Sequence, residues 1–157
     1  MSLSTGPSGI RIAQALGIAG SAFVSGAILS ISYIATPAIL DYPFQVASQW
    51  DDVYTRGSHR MPPLALLSTG AYAYAAYTTT STDKARLFTL AALFTIGIVP
   101  YTFGTMLNTN NQLKRKIQVA EKDEETIELV KKWKLLNAGR GLLPLVGSVL
   151  GIMGLLM

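Results

Sequence analysis

The sequence predicts an all-α fold: an integral membrane four-helix bundle with an aromatic-rich first connection and an amphipathic extension of the fourth helix. Three observations predict it. Only 14% of the 157 residues are charged while 50% are hydrophobic, and the mean hydropathy is +0.35; a soluble domain is ordinarily about a quarter charged. The charges leave four long gaps, from Ile12 to Leu40, Met61 to Thr82, Leu87 to Leu113 and Gly141 to Met157. These gaps match a bilayer core of about 30 Å, which takes roughly 20 helical residues. The expected spans are approximately 12–39, 61–80, 87–108 and 136–157, the last extended upstream of Arg140, within one domain of 157 residues. A soluble bundle would show a polar stripe on each helix, and these segments lack one.

In the first span, Gly17, Ser21 and Ser25 repeat at four-residue spacing, and Ala22, Gly26 and Ser30 do so on a neighbouring stripe. Small residues let membrane helices approach closely. With a single basic Arg11 before it and an apolar run longer than a signal peptide's core, the segment reads as a retained span. Pro37 lies near its end. The connection that follows holds Tyr42, Pro43, Phe44, Gln49, Trp50, Tyr54, Arg56 and His59. Aromatics at this depth form interfacial belts. Proline suits the first turn of a helix, so Pro62 and Pro63 predict that the second span starts there. Pro100, inside the third span, removes the donor for the carbonyl of Ile96. Asn108, Asn110, Asn111 and Gln112 crowd that span's end.

Ahead of the fourth span, an acidic cluster from Glu121 to Glu125 suits a helix N-terminus, and Lys131, Lys132 and Lys134 lie further along. Val130, Trp133, Asn137, Arg140 and Pro144 fall at i, i+3, i+7, i+10 and i+14, one helical stripe that turns from apolar to polar at the membrane boundary. Gly147 and Gly151 form a GxxxG pair.

Arg11, Lys84 and Arg86 lie on one side of the predicted bundle, and every other Lys and Arg on the opposite side. The positive-inside rule places the larger group in the cytosol and both termini in the lumen or exterior. The endoplasmic reticulum suits a eukaryotic protein of this kind. The net charge of +4 is therefore an orientation signal and not a nucleic-acid signal.

The residue types restrict the chemistry. Cysteine is absent and His59 is the sole histidine, so no zinc or di-iron ligand set is available, and no metal site is expected. No Gly-rich nucleotide loop occurs outside the spans. No acidic residue lies deep in a span, which argues against a proton-coupled carrier. One end of the bundle collects Gln49, Trp50, Tyr54, Arg56 and His59 from the first connection, Tyr101, Thr102, Asn108 and Asn110 from the third span, and Trp133, Asn137 and Arg140 from the fourth. Apolar walls with a few convergent polar groups make a small-molecule pocket; an interfacial belt with helix caps would use the same residue types.

The order and spacing of several short pieces resemble the anthrone oxygenase (noranthrone monooxygenase) family of small four-span membrane proteins. The pieces are Ile10-Arg11 with Gln14, Ser30-Ile31-Ser32-Tyr33 before Pro37, Gln49-Trp50-Asp51, Tyr54-x-Arg56-Gly57, Pro62-Pro63-Leu64-Ala65-Leu66, Ile98-Val99-Pro100-Tyr101-Thr102, Thr109-Asn110-Asn111-x-Leu113, and Trp133-x-x-x-Asn137-x-x-Arg140. The resemblance runs from about Ile10 to Met157 and implies oxidation of an anthrone methylene by O2 to a quinone carbonyl, with an aromatic polyketide as substrate. It implies no cofactor. Roles follow from residue type: His59 as base, since imidazole titrates near neutrality; Arg140 or Arg56 stabilising an oxyanion; Gln49, Asn110 and Asn137 bonding phenol oxygens; Trp50, Tyr54, Tyr101 and Trp133 walling the rings. A non-catalytic scaffold or accessory subunit, or an oxygenase of another phenol, are the competing readings.

Overall fold

The charge-poor segments form helices longer than a hydrocarbon core is thick. In a computed structural model describing residues 7–42, 44–117 and 123–157, the chain makes four helical rods: α1 (Ser8–Asp41), α2 (Val46–Thr78), α3 (Thr82–Arg115) and α4 (Glu124–Leu156). No strand occurs among the described residues. α1, α3 and α4 are long and apolar enough to cross a membrane. At 34 residues, α1 and α3 are each about 51 Å long, well beyond a hydrocarbon core of about 30 Å. α2 is not among these three; its apolar half is diluted by Pro62, Pro63, Tyr72, Tyr74 and Tyr77.

The expected first connection is corrected. Helix α2 begins at Val46 and runs through Pro62 and Pro63, so the aromatic segment is helical and not a loop. The prolines lie inside the helix, where they leave the carbonyls of Ser58 and His59 without the usual donor. Gln45 turns the chain into α2 with φ 51°, and Gln49 Nε2 donates to the carbonyl of Phe44 at 2.6 Å, tying down that turn. Pro43, and Glu121 and Lys122 of the predicted acidic cluster, lie outside the described residues.

Short connections make sequential rods antiparallel neighbours. α1 packs along α2 and α4, and α3 packs along the same two, so α1 and α3 face each other across the diagonal. The predicted amphipathic extension is continuous with the fourth helix: α4 is one unbroken rod, and Val130, Trp133, Asn137 and Pro144 of the predicted stripe are buried. In α1, Gly17, Ser21 and Ser25 are buried, whereas the neighbouring Ala22–Gly26–Ser30 stripe faces outward. Three core clusters stack along the bundle. Tyr72, Phe88 and Ala91 occupy the end near the α2–α3 turn, Val24, Ile28, Ala65 and Ile98 the middle, and Trp50, Met106, Leu113 and Trp133 the opposite end.

Two π turns interrupt the rods, Ile31–Ala35 in α1 and Thr102–Met106 in α3. Pro37 explains the position of the first. Its ring would collide with the carbonyl four residues back, that of Tyr33, and Tyr33 sits inside the widened turn. There the N–H and hydroxyl of Thr36 both reach the carbonyl of Ile31.

At the α3–α4 connection Lys116 Nζ meets Asp123 at 2.8 Å and Glu125 at 2.5 Å. Asp123 caps α4, accepting from the N–H of Glu125 and the hydroxyl of Thr126. Hydrogen bonding to Lys116 holds the Asp123 carboxyl below its ordinary value, and Asp123, then Glu125, raise Lys116.

Candidate active site

A cavity of about 340 Å3 opens between α2 and α3, with one residue of α4 at its base. That volume lies at the lower end of the range for small-molecule sites. α2 lines it with Tyr54, Gly57, Ser58, Met61 and Pro62, every third or fourth residue along one helical face. α3 contributes Ile98, Val99, Thr102, Phe103, Leu107 and Asn110. The wall is mostly apolar, and Phe103 and Leu107 are exposed at its outer edge. The α4 residue is Arg140.

Arg140 is held from two sides. Its Nη2 donates to Asn137 Oδ1 at 2.7 Å and its Nη1 to Thr102 Oγ1 at 3.2 Å. Asn137 is wholly buried, and its Nδ2 donates to the carbonyl of Ile28 at 3.0 Å and to Ser32 Oγ at 2.8 Å. Thr102 in turn donates to the carbonyl of Ile98 at 2.7 Å. Each π turn thus supplies one hydroxyl, Ser32 or Thr102, to a chain of bonds that runs from α1 through α4 to α3. π turns commonly mark functional sites.

The guanidinium is nevertheless incompletely satisfied. Of its five N–H groups, the two bonds above engage two, and Nε is buried without a partner. No carboxylate reaches it among the described residues. The phenol of Tyr54 shares the cavity lining with it, and that of Tyr101 lies beside the preceding Gly139. A partly buried cation without a counter-anion is costly, and inside a membrane such a group marks a site.

Behind the cavity wall lies an aromatic cluster. Trp50 stacks on Tyr54 with ring centroids 4.9 Å apart and meets Trp133 edge to face at 5.8 Å. Lys114 Nζ lies 5.2 Å from the Tyr54 ring centre. Trp133 Nε1 donates to Asn110 Oδ1 at 2.9 Å in a fully buried bond. Trp50 Nε1 is buried and unpartnered.

Of the residues singled out from sequence, Arg140, Tyr54, Thr102 and Asn110 line the cavity. Trp50, Trp133 and Asn137 stand one layer behind, each touching a lining residue. Tyr101 lies beside Gly139, whose missing side chain leaves room for the phenol: a Cβ there would stand 2.7 Å from the hydroxyl oxygen. Gln49 is spent on the Phe44 turn. His59 and Arg56 are exposed and absent from the lining. Helix register explains this: five residues beyond Tyr54, His59 sits roughly 140° round the axis, and Arg56 roughly 200°. The His59 ring is engaged at Nδ1 with its own helix, 2.7 Å from the carbonyl of Thr55. The candidates that sequence reasoning passed over are Phe103, Leu107 and Ser32. Val99, Phe103 and Leu107 recur at four-residue spacing, a periodic stripe that would have found the α3 wall.

Among the described residues, no three His, Asp or Glu side chains converge on a possible metal site. The sequence profile described as anthrone oxygenase matches residues 50–150, which include every lining residue of the cavity. The chain belongs to the anthrone oxygenase family. An anthrone oxygenase of Paecilomyces divaricatus is 34% identical over 90% of this chain and 94% of its own length. The anthrone oxygenase tpcL of Aspergillus fumigatus is 37% identical over 91% of this chain and 92% of its own. A noranthrone monooxygenase of Aspergillus flavus is 32% identical over 84% and 68%. No solved structure matches the chain. Within this member of the family, the matched segment spans both the cavity and the Asn137–Arg140–Thr102 chain of bonds.

Proposed function

We propose that the protein is a membrane-embedded monooxygenase that converts the methylene of an anthrone-type polyketide to the carbonyl of an anthraquinone with O2. The atoms balance: two C–H bonds break, one oxygen atom becomes the new carbonyl, and the other leaves with the two hydrogens as water. Loss of one methylene proton gives a delocalised anion. The anion passes an electron to O2, the pair combines to a peroxide at the same carbon, and loss of water leaves the quinone. The route calls on no metal or organic cofactor.

The observation that carries this reading is Arg140, a cation with unused N–H groups at the base of an apolar cavity. It stabilises negative charge on the substrate oxygen as the anion forms. Asn110 is the second polar contact, and Tyr54, Met61, Val99 and Phe103 hold the flat ring system. His59 and Arg56 take no part, because their helix turns them outward. All four helices cross the bilayer, α2 turning Leu66, Leu67 and Tyr77 outward, with both termini on the side away from the cytosol and the endoplasmic reticulum as the host membrane. An apolar anthrone partitions into lipid, which is a physical reason for the chemistry to sit there.

The test is O2 uptake by the purified protein in lipid nanodiscs supplied with a hydroxyanthrone. One O2 consumed per anthraquinone formed is expected. Arg140→Met lowers kcat/KM by about 100-fold or more, the scale for losing one oxyanion donor. Full activity in that variant overturns the site; no uptake by the wild-type chain with any anthrone overturns the oxygenase reading.

A further inference from the structure

Asparagine can present either its oxygen or its nitrogen to a ligand, and the two ends ask for opposite partners. In Asn110 the choice is settled by a neighbour. An indole N–H can only donate, so Trp133 Nε1, at 2.9 Å, must face the amide oxygen. Both residues are buried, at 2% exposure each. Asn110 also lines the cavity. With its oxygen committed, the polar group it offers there is Nδ2, a donor.

The second polar group at that end is Arg140, which is donor-only by chemistry. Its nearest hydroxyl, Thr102, has its proton committed to the carbonyl of Ile98. Tyr54 shares the lining with Lys114 over its ring, Tyr101 lies beside Gly139, and Asp51, half-buried, stands one turn before Tyr54 on α2; α1 brings Ser32 and the Ile28 carbonyl, and those are taken by Asn137. The cavity lining thus carries one cation, no carboxylate and two side chains that offer N–H groups, set in apolar walls.

We propose that Arg140 and Asn110 take the substrate as its anion, with the negative oxygen shared between them, and that Trp133 is a positioning residue that fixes which end of Asn110 faces it. The inference rests on reading the cavity as the anthrone site. It replaces a side-chain base with a shift in the ligand's own acidity. The methylene C–H bond breaks, its electron pair spreads over the ring system and the oxygen, and the proton goes to water as the ligand docks. No electron leaves the ligand at this stage.

The experiment is an anaerobic spectroscopic titration of the protein in nanodiscs with a dihydroxyanthrone, whose anion absorbs at longer wavelength than the neutral form. Without O2 no turnover intervenes. The bound ligand is expected to ionise at least about one pH unit below its value in protein-free nanodiscs of the same lipid, a tenfold change in ionisation constant. Asn110→Asp, acceptor-only when charged, abolishes the shift. Trp133→Phe keeps the ring packing but frees the amide to turn over, and reduces the shift several-fold. An unshifted ligand bound to wild-type protein overturns the proposal without needing any variant. A full shift in Trp133→Phe overturns the positioning role. Anion capture in a protein that consumes no O2 with any anthrone would support this inference while the oxygenase reading fails. Oxygenation of a ligand bound in neutral form would do the reverse.

Discussion

The two halves of this bundle are built from the same four rods and handle polarity in opposite ways. In the half around Tyr72, polar groups are closed off. The Tyr72 hydroxyl lies 2.9 Å from Ser21 Oγ and donates to the carbonyl of Gly147 at 3.2 Å. Gly17 and Gly151 press on its ring so closely that a Cβ at either would fall 2.7 or 2.5 Å from a ring atom or the hydroxyl. In the half around Arg140, α1 and α3 each carry a π turn, a cavity forms between α2 and α3, and polar groups are left over. Among the described residues the buried side-chain atoms without a partner are Trp50 Nε1 and Arg140 Nε, and both are in this half. Where a buried polar group is closed, it fixes helix packing; where it is left open, it waits for a ligand.

This contrast can be broken by separating stability from turnover. The largest effect on folding is expected from Gly151→Ala. The added methyl overlaps the Tyr72 hydroxyl, and overpacking of a tight core costs about 1–3 kcal/mol. Unfolding measured in detergent should show that loss, while kcat/KM per folded molecule stays unchanged. A fall in turnover without a loss of stability would mean that the halves are not separable.

In the opposite half, Thr102→Val removes one of the two acceptors that hold Arg140 and keeps the side-chain shape. Anthrone turnover should fall about five- to tenfold, with stability changed by no more than about 1 kcal/mol, the net worth of one hydrogen bond. A stability loss with full turnover would assign Thr102 to packing.

The smallest effect belongs to the α3–α4 connection, outside both halves. The Asp123 carboxyl is held low by Lys116, so its contribution is present above the ordinary carboxylate range and disappears as pH falls through the lowered value. Lys116 is raised, so its contribution is present below the ordinary lysine range and is lost only as pH rises through the raised value. Thermal midpoints should therefore be flat through neutrality and drop slightly below about pH 4. Asp123→Asn should flatten part of that acid drop, and by little, because solvent screens the pair.

The rods α1, α3 and α4 were legible in the sequence because charge avoidance is a property of long stretches. The inward stripe of α4 was legible because Trp133, Asn137 and Arg140 keep helical spacing. Helix α2 is legible only in its second half. Pro62-Pro63 is an acceptable helix start and an unusual helix interior, so Asp41 to Arg60 read as a connection in which any side chain could face the site. Once that segment is helical, Tyr54 turns inward and His59 outward. The π turns had no sequence signal beyond a nearby proline, and the pairing of Trp133 with Asn110 joins positions on different rods whose register depends on those turns.

Each π turn carries one more residue than the α-helical turn it replaces. Deleting a single residue from Ile31–Ala35 would keep both flanks of α1 in phase and leave it long enough for the same membrane, with the Pro37 ring set against the carbonyl four residues back. What it would lose is the aim of Ser32 at Asn137. The extra residue is thus a removable insertion: the frame of the bundle does not depend on it, and the orientation of the site does.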